Sequence, residues 1–132
     1  MKAGKVWGET QLLLATPLIE VHALRIEPNK RCSMHKHEFK WNGFYVTRGT
    51  LLIEVEKSGY ALTDTTVLGP GDLMTVRPGE FHRFRTMDEG CEAIEFYYPE
   101  LLSEDICRKD VGGDTAAKAK PSTTGGPHSY PL

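Results

Sequence analysis

The chain has 132 residues and a formal net charge of −2, with 39% hydrophobic and 26% charged residues. That is the make-up of one ordinary globular domain, with enough apolar mass for a core. The charge balance gives no reason to expect nucleic acid, and no block of like charge suits an anionic membrane.

No apolar run approaches the ~20 residues of a membrane span. The opening MKAGKVWGET lacks the apolar stretch of an export signal, so a cytoplasmic protein is expected. Three cysteines, Cys32, Cys91 and Cys107, form no CxxC pair. Their odd number argues against a disulfide framework or a zinc knuckle, and free thiols are expected.

In chain order, strands are predicted over 12–15, 19–26, 31–37, 43–47, 50–56, 65–68, 73–76, 82–86 and 92–98. Between them lie Pro28-Asn29, Arg48-Gly49, Lys57-Ser58-Gly59, Gly69-Pro70-Gly71-Asp72, Pro78-Gly79 and Asp88-Glu89-Gly90, all turn-forming chemistry. Many short strands without long helical patterns indicate an all-β sandwich or barrel. Phe44, Val46, Leu51, Ile53 and Val55 fall in alternating runs and are assigned to its core. One short helix is expected near the C-terminus. Ser103 would cap it, Glu104, Asp105, Arg108 and Lys109 would complement its dipole, and Gly112-Gly113 would end it. The rest is small, polar and rich in Gly, Pro and Thr, which predicts a domain over 1–111 and a flexible tail over 112–132.

Chemistry concentrates in two strings, His35-Lys36-His37 and Arg77-Pro78-Gly79-Glu80-Phe81-His82. On a strand, residues two apart share a face at roughly 6.5 Å, so His35 and His37 can converge on one ion. Gly71-Asp72 and Pro78-Gly79 are turns that start and end a short strand, and the second aims His82 from a distant strand. A third imidazole completes a three-nitrogen metal face in the mouth of a small β-barrel.

These residues resemble the two cupin motifs. His35-x-His37 through Asn42 to Gly49 is similar to the first, and Gly71-Asp72 through Pro78-Gly79-x-x-His82 to the second. The resemblance implies the jelly roll, or double-stranded β-helix, with His35, His37 and His82 as ligands of a divalent ion such as Zn, Mn, Fe or Ni. Asn42 stands where the family usually places a ligand Glu. It is expected to point at the site as a weak oxygen ligand or as a group holding a water. Glu95 is a remote alternative for the fourth ligand.

Residues 6 to about 113, from Val6-Trp7-Gly8 through the approach to His35 to Ile94-Glu95-Phe96 and Leu101-Leu102-Ser103, look like the cupin domain of type II mannose-6-phosphate isomerases. That resemblance implies metal-dependent isomerase or epimerase chemistry on a small carbohydrate-type substrate. Glu95 and Tyr97 are the candidate catalytic groups, although alternation there also allows Ile94, Phe96 and Tyr98 to face inward. Lys40 and Arg77 are the candidates for holding an anionic ligand. A three-histidine iron dioxygenase and a non-catalytic sugar-binding or sensor module are the competing readings. His22 and His128 stand alone, and Trp7 and Trp41 are assigned to packing. Cys32 and Met34 are expected to face away from the metal, giving an apolar outer surface that a homodimer would cover.

Overall fold

A computed structural model describes residues 2–57, 62–100 and 107–115. Nine strands are found there: β1 (Lys2–Lys5), β2 (Gly8–Ala15), β3 (Glu20–Ile26), β4 (Trp41–Gly49), β5 (Leu51–Lys57), β6 (Leu62–Leu68), β7 (Leu73–Val76), β8 (His82–Arg85) and β9 (Cys91–Tyr98). They form a six-stranded antiparallel sheet in the order β1-β2-β3-β9-β4-β7 and a three-stranded sheet in the order β6-β5-β8. The all-β jelly-roll class expected from the sequence is the fold observed.

Alternation builds the sandwich. Leu24 and Ile26 of β3, Phe44 and Val46 of β4, Val76 of β7 and Ala93 of β9 meet Leu51, Ile53 and Val55 of β5, Leu68 of β6 and Phe84 of β8 in one buried cluster. Trp7 closes it, its ring edge-on to Phe84 at 5.0 Å. On β9 the buried set is Cys91, Ala93 and Glu95, so the odd residues face inward and Ile94, Phe96 and Tyr98 face out. Phe96 lies over the outer side of Gly43, where a Cβ would come within 2.2 Å of its ring.

Two features depart from the sequence reading. The edge strand β1 was not expected, because Lys-Ala-Gly-Lys has no apolar alternation; its order comes from pairing with β2. The stretch 31–37 is not a strand. It runs antiparallel to β8 and forms only two isolated bridges, Arg31 with Arg85 and His35 with His82. Between those bridges it takes four steps where β8 takes three, a bulge that upsets strict alternation. Cys32 therefore turns inward, packs against the core and accepts a 3.2 Å hydrogen bond from the Phe84 amide through its sulfur. The expectation that it faces outward fails for that reason.

The chain divides into two compact units, 1–100 and 101–132. Of the second, 107–115 are described, and they are exposed and without helix or strand. The start of the expected helix at Ser103 and most of the expected tail lie outside the described residues. Among the described residues no helix is long and apolar enough to cross a membrane.

Candidate metal centre

The site forms where β8, the start of β4 and the end of β9 meet the irregular 31–37 stretch. The Pro78-Gly79 turn, with Gly79 at φ 88°, delivers His82 to the first position of β8. The Gly79 amide donates to His37 O at 2.8 Å, and His35 and His82 exchange backbone hydrogen bonds of 3.0 and 2.8 Å. This backbone pairing draws the three imidazoles together: one ligand nitrogen from each of His35, His37 and His82 lies within 4.8 Å of the others. Their ring centres are 4.8–5.6 Å apart.

Two rings are turned by backbone carbonyls. His35 Nδ1 donates to Ser33 O at 2.8 Å, and His82 Nδ1 donates to Glu80 O at 3.0 Å. Each bond leaves Nε2 as the lone-pair nitrogen, the arrangement typical of metal-ligating histidine. His37 Nε2 is buried and has no hydrogen-bond partner among the described residues. An orphaned nitrogen of that kind costs roughly 1–3 kcal/mol, so its retention points to a partner of another kind. Burial, reinforced by the charges of His35, His82 and Lys40, lowers the His37 pKa to about 4, which keeps it a lone-pair donor at neutral pH.

Asn42 lies against the imidazole cluster. It is fully buried at 1% exposure, and its Oδ1 lies 2.9 Å from His82 Nε2. Its Nδ2 donates to Phe96 O at 3.3 Å and to Glu95 Oε2 at 3.2 Å, which fixes the oxygen toward His82. The His82 ring thus has an oxygen acceptor at each nitrogen. A neutral imidazole satisfies only one of them, and burial lowers the His82 pKa, disfavouring the imidazolium. An ion beside Nε2 and Oδ1 resolves the conflict, because adjacent ligands on an ion with ~2.1 Å bonds are about 3 Å apart.

Behind Asn42, Glu95 is buried, and burial raises its pKa against the lowering effect of its hydrogen bonds. The Tyr97 hydroxyl donates to the same Oε2 at 3.0 Å, and burial together with the Glu95 charge raises the Tyr97 pKa. His22 also belongs to this face. It pairs with Glu95 across β3 and β9, bonds Glu20 at 3.2 Å, and has its ring 6.0 Å from that of Tyr97. Sequence reasoning set His22 aside as isolated. The signal that identifies it is the even-numbered alternation it shares with buried Leu24 and Ile26.

Lys40 lies at the rim, its Nζ 4.3 Å from the centre of the Tyr97 ring. Arg77 is exposed beyond the inward Val76. A cleft of about 340 Å³ lies elsewhere, among Gly8, Arg25, Arg48 and Cys91, and none of the three imidazoles lines it.

A model of the cupin domain family matches residues 23–97 of the chain. No curated protein matches it in sequence. Among solved structures, KdgF from Halomonas sp. is similar at 18% identity and a TM-score of 0.60, covering 70% of this chain and 79% of that one. CapF from Staphylococcus aureus aligns at 16% identity and a TM-score of 0.68, covering 80% of this chain and 30% of its own. A variant of oxalate decarboxylase from Bacillus subtilis gives 16% identity and a TM-score of 0.67, covering 80% and 29%. The chain therefore spans less than a third of the length of the last two, and these likenesses show the fold. Another structure of that decarboxylase concerns its Mn(II) centres. By the family match, which takes in more than half of its residues, the chain belongs to the cupin domain family.

Proposed function

We propose that this cupin is a metal-dependent enzyme of isomerase or epimerase type, acting on a small open-chain ligand of carbohydrate character. The reading rests on one observation: a buried carboxyl, Glu95, is joined through the single residue Asn42 to the cluster of three imidazoles. His35, His37 and His82 would hold a divalent ion, with Asn42 supplying an oxygen. When bound, the ion supplies Lewis-acid polarisation of a ligand carbonyl or hydroxyl. Tyr97 and Asn42 both donate to Glu95 Oε2, which leaves Oε1 to take a proton from one carbon and return it to the next. Burial raises the Glu95 pKa, which makes the carboxylate a stronger base than an exposed one. The resemblance to type II mannose-6-phosphate isomerases supports the same reaction class.

Elemental analysis of protein purified without added metal, followed by NMR of aldose and ketose phosphates in deuterated buffer, tests the reading. Zinc or manganese with solvent deuterium entering the sugar carbon is expected, and Glu95→Gln should abolish that exchange while metal is retained. Metal with no exchange on any sugar would remove the isomerase assignment. The neutral donor set, with Asn42 in place of a carboxylate, favours a second reading, a three-histidine iron oxygenase; iron with oxygen uptake would select it. A metal-free protein without turnover would leave a ligand-binding module. We also assign a homodimer to the outward aromatic face of the larger sheet, where Trp41 and Phe96 stack on Tyr98. Light scattering near 30 kDa is expected, about twice the chain mass of 14.8 kDa.

A further inference from the structure

A pocket of about 260 Å³ opens beside Tyr97, walled by Pro17 and Leu18 of the β2–β3 turn, by Glu20, Lys40 and Tyr98, and by the Tyr97 ring itself. The same ring stands 5.0 Å from that of His37, so one tyrosine separates the pocket from the imidazole cluster. We propose that this pocket is the second half of the ligand site, where Lys40 holds an anionic group on a ligand whose other oxygens reach His35, His37 and His82. The inference rests on the metal-centre reading above and names the class of ligand that centre takes.

Two independent observations carry it. The Lys40 ammonium is held over Tyr97 by a cation–π contact and has no carboxylate within ion-pair distance among the described residues, whereas Lys36 pairs with Glu38 and Lys57 with Asp64 and Glu80. The acid in the same pocket, Glu20, is turned to the His22 ring at 3.2 Å and forms no ion pair with Lys40. The pocket therefore offers an ammonium without an ion-pair partner among the described residues, beside Pro17, Leu18 and the Tyr97 ring. Second, the donor set of three imidazoles and one carboxamide brings no negative charge. A divalent ion there keeps its full charge, so an anionic oxygen ligand is favoured over a neutral polyol from the metal side as well. A carboxylate and a phosphate ester answer equally to this chemistry, and Lys recognises either as a point charge.

Calorimetry on the full chain loaded with manganese or zinc tests the proposal, using four probes: glycerate as the chelating head alone, 2-hydroxyglutarate with a carboxylate tail, 3-phosphoglycerate with a phosphate tail, and neutral erythritol. At least one tailed probe should bind on the order of tenfold more tightly than glycerate, and erythritol most weakly. Lys40→Met should bring the tailed probe to within about threefold of glycerate, with metal still bound and glycerate changed far less than the tailed probe, and Lys40→Arg should keep most of the gain. Which tail gains distinguishes a sugar acid from a sugar phosphate. Metal binding with no gain from either tail, or a gain that survives Lys40→Met, overturns the inference while leaving the metal centre standing. Failure to bind metal removes both.

Discussion

The inside of this barrel has two halves built from the same strands. Toward one end, β3 contributes Leu24 and Ile26, β4 contributes Phe44 and Val46, β8 contributes Phe84, and β9 contributes Cys91 and Ala93. Toward the other, the next inward positions along those strands are His22, Asn42, His82, and Glu95 with Tyr97. Both halves obey one alternation; Asn42, His82 and Glu95 are as buried as the apolar set, while His22 and Tyr97 are half-buried. The difference lies in what each does with its polar atoms. The apolar half has none to satisfy, whereas the mouth half satisfies some through a chain from Tyr97 to Glu95 to Asn42, sets Asn42 Oδ1 against the lone pair of His82 Nε2, and leaves His37 Nε2 without a partner among the described residues. Stability thus resides in one half, and the other gives up some of it to hold lone pairs ready.

The sharpest way to break this division is to damage the apolar half. Phe44→Ala removes a 1% exposed ring that packs edge-on to Phe84 at 6.1 Å. It should cost about 3–5 kcal/mol in urea unfolding, with metal binding lost as a consequence of unfolding. The mirror experiment replaces His35, His37 or His82 with Ala. Each should lower metal affinity at least on the order of a hundredfold while metal-free unfolding stays cooperative, because the apolar half is untouched. Collapse of cooperative unfolding in all three variants would merge the two halves into one structural unit.

The division explains how far the sequence could be read. Turn chemistry and alternation located eight of the nine strands, because Gly-Pro-Asn-Asp punctuation and a period of two are local signals. The pair His35-x-His37 and the Pro-Gly turn before His82 were visible for the same reason. What stayed hidden depended on register. The direction of Glu95 and Tyr97 is fixed by pairing with β3 and β4, the inward turn of Cys32 by a bulge, and the company of His22 by a partner strand some seventy residues away. β1 was hidden because an edge strand held by one neighbour needs no apolar pattern.

Asn42 is the residue through which the halves can be traded more finely. Asn42→Glu places a charged oxygen beside three neutral imidazoles and should raise manganese or zinc affinity on the order of tenfold by calorimetry. The same change removes the donor to Phe96 O and sets a second carboxyl against Glu95, so the metal-free variant should unfold at lower urea than the native chain. Opposite signs for affinity and metal-free stability are the expected signature. Unchanged affinity would place Asn42 outside the ligand set.

The smallest effect concerns protons. Burial holds His37 near a pKa of about 4 in the folded chain, against 6.5 for an unperturbed histidine. Between those values the unfolded chain binds a proton that the folded one refuses, so His37 contributes stability that is fully present above about 6.5 and lost as pH falls toward 4. His82, also lowered by burial, acts in the same direction. Glu95, raised by burial, opposes them: above 4.5 the folded chain keeps a proton the unfolded one has released, so its contribution fades as pH rises through its folded value. His37 is only partly buried, so its slope should be well below the limit of ~1.4 kcal/mol per pH unit. Urea midpoints of metal-free protein at pH 7 and pH 5 measure it, compared with His37→Leu. That variant should show a shallower fall toward acid and, having lost the orphaned Nε2, a midpoint at pH 7 equal to or above the native one. A native acid slope that His37→Leu leaves unchanged would mean that its nitrogen is solvated, and the mouth half would then surrender no stability at that position.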